Sequence, residues 1–225
     1  MSGLWPAAER KLADAKSAAH PLRFQIHDEA GGTMATLRPL LASDLADDRL
    51  VATLARWREE NKDRFLTIVP FDPEGTRRWM GRFPVGDPGR ILFLVESLDG
   101  EPLGHYGLLL VGDGEAEIDN TLRGSSYGPR GLFRQVAQQV IRWAIDELGA
   151  QRLIVRVMSN NPAAIRHQES NGFIQETVLP LREIREGDII RREVVASHSE
   201  SNLPFGLTVL NYPIAFPAGK GLRPH

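Results

Sequence analysis

Residues 115–173 read EAEIDNTLRGSSYGPRGLFRQVAQQVIRWAIDELGAQRLIVRVMSNNPAAIRHQESNGF, and the fold class turns on them. The stretch opens on a strand, EAEIDNTL. A loop rich in Gly and Arg then feeds straight into a long helix. On that helix Leu132, Val136, Val140, Trp143, Ala144 and Leu148 fall along one face, and Gly149 ends it. RLIVRVM follows, apolar at most positions, as a strand covered on both faces should be. A short helix begins at Pro162 and closes at Asn171-Gly172.

The loop before the long helix carries a chemical signal of its own. Backbone N–H groups at a helix start lack intrahelical acceptors, and the helix dipole favours an anion there. Gly128 and Gly131 let backbone approach a bulky ligand closely. Arg123 and Arg130 add donors of the geometry that phosphate oxygens prefer. The loop therefore reads as a pyrophosphate cradle, although an ordinary Gly-Pro connection would show the same residues.

Upstream, three strands joined by tight turns predict an antiparallel meander: RILFLVES, then PLGHYGLLLV, then EAEIDNTL. Before them, residues 44–60 read as a helix capped by Asp44, with Leu45, Leu50, Leu54 and Trp57 on one side. A second helix starts near Asp72-Pro73, with Trp79 and Met80 on its apolar face. The compact domain is expected to begin with the strand MATLRPL. Residues 1–32 form an N-terminal extension, and its Ala-rich segment 7–19 reads as a loosely docked or solvated helix. Downstream, FIQETVLPL, DIIRREVVA and FGLTVLNYP read as strands. The order is that of one mixed α/β domain over residues 33–225, with no internal repeat.

Composition narrows the function. The 27 Lys and Arg against 29 Asp and Glu give a net charge of −2, which leaves no electrostatic footprint for nucleic acid. No apolar run approaches the ~18 residues of a membrane span. The absence of Cys excludes disulfides, thiolate metal sites and cysteine nucleophiles. The six His are scattered, so no metal is expected. The N-terminal residues have no apolar core for a signal peptide, and a cytoplasmic location is expected.

Asn161, Ala164 and Ile165 with Gly172 and Phe173, placed one strand after a loop-to-helix start, resemble the GNAT superfamily of acyl-CoA N-acyltransferases. The resemblance runs from about Met34 to Leu181. The loop departs from the family pattern, keeping little beyond Gly131. The resemblance implies a mostly antiparallel sheet with a V-shaped splay between two parallel strands and helices on both faces. It implies acetyl-CoA as acyl donor. Its pantetheine would pair with Ile118, Asn120 and Leu122, and its pyrophosphate would sit on Tyr127, Gly128, Arg130, Gly131 and Leu132 near Arg123. Asn161 would bond the pantetheine arm, with Ala164 leaving room beside it. Asn161 also reads as a plain helix cap.

The family often carries a Tyr seven residues after the Asn as general acid. Gln168 stands there, preceded by His167, and cannot give up a proton in that sense. Two functions follow: an N-acetyltransferase acting on a small primary amine, or a catalytically silent acyl-CoA-binding module. For the enzyme, a base must deprotonate the amine. Glu115, Glu117 and Asp119 share one strand face and would be costly in an apolar core, so they face open solvent or a polar cleft. Glu117, mid-strand, is the chosen base. His105 on the neighbouring strand is the competitor, and Asp119, nearer the splay, touches substrate or fixes the loop. Trp57, Arg58 and the following Arg-rich helices resemble members acting on amino-sugar nucleotides, with the aromatic ring as platform and the guanidinium for a diphosphate. A solvated helix face with Trp57 in the core is the competing reading. The family also suggests a homodimer.

Overall fold

The computed structural model describes residues 5–112, 114–125 and 128–214. In chain order these form α1 (Pro6–Ala15), β1 (Phe24–His27), β2 (Thr33–Pro39), α2 (Asp48–Glu60), β3 (Thr67–Ile68), α3 (Pro73–Met80), β4 (Arg90–Glu96), β5 (Pro102–Gly112), β6 (Glu115–Arg123), α4 (Leu132–Asp146), β7 (Arg152–Met158), α5 (Pro162–Ser170), β8 (Ile174–Glu186), β9 (Ile189–Val194) and β10 (Gly206–Tyr212). The strands make one sheet in the order β1-β2-β4-β5-β6-β7-β10-β8-β9-β3. Every paired strand is antiparallel to its neighbour except β6 and β7, which run parallel across the α4 crossover. The mixed α/β class and the meander β4-β5-β6 agree with the sequence pattern. Among the described residues no helix is long and apolar enough to cross a membrane.

The two faces of the sheet carry separate cores. α4 buries Leu132, Val136, Val140, Trp143 and Ala144 on one face, with the Trp143 ring edge-on to Phe93 at 5.4 Å. The other face is covered by α2 and α3, whose Leu50, Leu54, Trp57 and Met80 pack on Leu92, Leu94 and Leu122. Gly124, just past the end of β6, is what lets Trp57 lie flat on this edge. A Cβ there would sit 2.0 Å from the indole ring.

The N-terminal segment departs from expectation. α1 is not loosely docked: Ala8 and Leu12 are fully buried, and Trp5 and Ala15 join them in the α4-side core. Lys16, one residue past α1, donates from Nζ to the carbonyls of Val85, Asp87 and Arg90 at 3.0–3.2 Å, tying the segment to the start of β4. β1 then pairs with β2 and extends the sheet ahead of Met34. A second departure concerns the cap of α2. Asp47 rather than Asp44 caps it, accepting from Leu50 N at 3.0 Å. Asp44 closes a short 3₁₀ turn before it and pairs with Arg38 at 2.8 Å.

Candidate active site

β6 and β7 pair only from Glu115–Arg152 to Ile118–Val155. Beyond that the strands part, and the cause lies in β6. Asn120 takes φ +45°, and the β5 pairing slips there, so that His105 and Gly107 span Leu122 and Asp119. This bulge bends β6 away from β7 and leaves Asp119–Leu122 with no partner on the β7 side. A cavity of about 620 Å³ opens at the parting, within the size of small-molecule sites.

The bulge also sets which side chains face the cavity. Glu117 and Asp119 line it from β6, as do Arg156 from β7, Arg90 from β4 and Arg58 from α2. The three β6 carboxylates do share a face, but each meets an arginine: Glu115 with Arg152 at 3.0 Å, Glu117 with Arg156, and Asp119 with Arg90. Glu117 is only 6% exposed. Its Oε1 accepts from Arg156 Nε at 2.9 Å and its Oε2 from Arg156 Nη2. Burial raises its pKa above the ordinary carboxylate value, with the Arg156 bonds opposing that rise. A carboxylate gripped on one side still has lone pairs for a second donor on the other. Asp119 turns back on its own chain, accepting from Asn120 N at 2.7 Å. It thereby fixes the bulge.

His105 does not reach the cavity. It is fully buried beside Trp57, its Nδ1 donates to the Asn120 carbonyl, and its Nε2 has no partner. Desolvation brings its pKa down to about 4, so the ring is neutral and serves the bulge. The structure thus removes it as the competing base. Trp57 is likewise corrected: at 2% exposed it is core, not a platform for a base. Arg58 does line the cavity. Its guanidinium carbon lies 3.9 Å from the Trp79 ring centre, 4.7 Å from Phe71 and 4.8 Å from Phe65.

At the other end, Gly131 is the N-cap of α4 with φ +82°, and open space surrounds the position of a Cβ. Gly128 (φ +119°) and Arg130 stand just before it. Tyr127 lies outside the described residues. Arg123 is exposed at the end of β6 and bonds the Ser125 carbonyl. Ile118 is buried in the α4-side core, whereas Leu122, shifted by the bulge, packs against Trp57 on the opposite face. Asn161 caps α5 through Ala164 N at 3.3 Å and also accepts from Arg64, so its oxygen is occupied. Both Asn161 and Ala164 line the cavity.

The family profile described as Acetyltransferase (GNAT) domain matches residues 35–174. The chain belongs to the GNAT acetyltransferase family. Its fold is similar to that of a spermidine N-acetyltransferase from Vibrio cholerae in complex with CoA and spermine, with TM-score 0.56 and 15% identity over 79% of this chain and 94% of that one. A GCN5-related N-acetyltransferase from Brucella melitensis superposes with TM-score 0.61 and 17% identity over 85% and 79%. No curated protein matches the sequence. Acetyl-CoA is the acyl donor of this N-acetyltransferase.

The residues present suit that donor. Asp119–Leu122 has no strand on its β7 side, which leaves an extended acyl arm an edge to lie along, and the α4 start offers N–H donors to phosphates. Among the described residues no group of His, Asp or Glu could hold a metal. The family pattern gives no place to Arg90, Arg156, Thr121 or Tyr106. Arg156 carried a signal: it is the one charge inside the apolar run LIVRVM of β7. Tyr106 carried none. Its buried hydroxyl lies beside Gln168 and Thr121, and none of the three side-chain oxygens makes a well-formed bond. Burial holds that phenol above its ordinary pKa, so it stays protonated.

Proposed function

We propose that this acetyltransferase acetylates the primary amine of a small molecule by direct attack, with Glu117 as the base. The observation that carries the reading is the buried Glu117 carboxylate, held by Arg156 on the cavity wall just where β6 and β7 part. The ammonium of the acceptor gives one proton to Glu117. Its nitrogen then forms the amide bond as the carbon–sulfur bond of the thioester breaks. The second nitrogen proton passes to the departing sulfur. Arg156 holds the carboxylate ionised before transfer, and burial makes it the stronger base.

Of the three residues proposed to pair with the pantetheine, Leu122 keeps a backbone free of β7, whereas Ile118 is register-paired with Val155 and Asn120 has its N–H on Asp119 and its carbonyl on His105. Gly128, Arg130, Gly131 and Leu132 keep their proposed role at the phosphates. Gln168, 3% exposed on the cavity wall, is proposed to hydrogen-bond the leaving sulfur, with the Tyr106 phenol behind it. An amino-sugar nucleotide acceptor loses the stacking half of its support, since Trp57 is core, and keeps only the arginines. The exposed apolar Ile174 and Val178 of β8 are consistent with the homodimer that the family suggests. Thiol release from acetyl-CoA against a panel of amines, amino-sugar nucleotides included, tests the reading. Absence of amine-dependent release with any acceptor refutes it.

A further inference from the structure

Arg58 is a cavity charge to which the transfer step gives no task. It is 6% exposed, and its Nε and Nη1 are buried with no hydrogen-bond partner. The three rings around it attract the cation but supply no acceptor. Asp119, the carboxylate whose charge acts on it, is already engaged by Arg90 and by Asn120. Two guanidinium nitrogens stripped of water and left unpaired are unfavourable unless something arrives to pair with them.

The wider cavity has the same sign. Among the described residues, Arg58, Arg64, Arg90, Arg123 and Arg156 line it against Glu117 and Asp119, and both carboxylates already have an arginine partner. Donor phosphates do not account for Arg58. The α4 start that would receive them lies on one face of the sheet, and α2 lies on the other. We infer that the acceptor carries an anionic group, a carboxylate or a phosphate, beside its amine, and that Arg58 receives that group. The inference rests on the acceptor reading above. A polyamine would bring further positive charge into a cavity already rich in it.

The test is thiol release with ethanolamine, β-alanine, phosphoethanolamine and spermidine, using the full chain and its Arg58→Met variant. Wild type should favour an anionic amine over ethanolamine by roughly tenfold or more in kcat/KM, as a charge-assisted bond predicts. β-Alanine against phosphoethanolamine decides between carboxylate and phosphate. In Arg58→Met that ratio should collapse, mainly through KM, while CoA affinity holds. Met fills the aromatic cage and removes an unpaired buried charge, so the melting temperature should hold or rise, which a structural arginine would not allow. Arg58→Lys, which keeps charge but loses the fork, should fall between and carries the test if the Met variant does not fold. Preference for spermidine or ethanolamine, or an unchanged ratio in folded Arg58→Met, overturns the inference. If no amine is acetylated, calorimetric titration of β-alanine and phosphoethanolamine into the CoA-bound protein separates the cases. Binding lost in Arg58→Met keeps the anion site and sinks only the transfer reading, while no binding sinks the site.

Discussion

Replacing Glu117 with Gln leaves the volume on β6 unchanged and still offers Arg156 an oxygen, but takes away the proton acceptor. Removal of a general base costs about 10²–10⁴ in rate, or about 2.7–5.4 kcal/mol of barrier. The loss should fall on kcat, because the carboxylate acts on the bound acceptor. Affinity for CoA should stay near wild type, since the donor is offered the backbone of Asp119–Leu122 and the α4 start. The deficit should be largest at low pH, where free amine is scarce, and shrink as solvent takes over deprotonation. A second readout is independent of turnover. The Glu117 pKa is raised in the fold, so its stabilising contribution is complete below the unfolded value near 4.5 and is lost as pH rises through the folded value. Gln stays neutral throughout, and the unpaired Arg156 adds a pH-independent offset. The melting temperature of Glu117→Gln minus that of wild type should therefore increase between pH 4 and pH 8. Steady-state thiol release and thermal melts across that range measure both. Turnover within a few-fold of wild type, with a flat melting difference, would refute the assignment. His105→Gln is the comparison: it should alter stability and leave the pH profile of kcat alone, because that ring lies behind Trp57 and outside the cavity.

At the donor end, Gly131→Ala and Gly131→Asp carry the same φ +82° strain, about 1–2 kcal/mol, so extra loss of CoA affinity in the Asp variant by calorimetry isolates charge at the α4 start. Equal affinities would place the phosphates elsewhere. Leu12→Ala should cost about 2–5 kcal/mol and lower the melting temperature by roughly 4–20 °C, because the side chain is fully buried; a shift below 2 °C would mean that α1 is not docked in solution. Gly124→Ala drives a methyl into Trp57 and should destabilise by about 1–3 kcal/mol, read by denaturant midpoint, with the acceptor KM rising as α2 moves.

Most of the fold was legible because it is local. The period of α4, the Asp72-Pro73 start of α3 and the meander all follow from residues a few positions apart. The helix α1 was legible in part. Ala8, Leu12 and Ala15 recur at helical spacing, but a stripe built from two alanines and one leucine is a weak apolar signal, and only the tertiary contact shows it buried.

The site was harder to read because its decisive residues are joined across strands. Strict alternation along β6 puts Leu122 on the α4 side with Ile118. One residue of extra chain at Asn120 reverses that order, and nothing in IDNTL announces a positive φ at an Asn. The same reversal brings His105 under Trp57 and leaves its Nδ1 to bond the displaced carbonyl. Of the three β6 carboxylates, Glu117 and Asp119 do face a polar cleft, but nothing in β6 foretells that an arginine from another strand is matched to each of the three. Arg156 is two residues beyond Ile154, the register partner of Glu117, so the pair is diagonal across a parallel junction. Register of that kind depends on the length of the α4 crossover and cannot be read from either strand alone. It has a mechanistic consequence. The last register pair before the strands separate is Ile118–Val155, and the Glu117–Arg156 contact closes over it. The proposed base therefore sits on β6 just before the bulge bends that strand away, while the arginine that anchors it belongs to β7, which stays paired with β10. Any acceptor that pulls Arg156 outward would loosen the carboxylate at the moment it must take a proton, which ties proton transfer to how the cavity is filled.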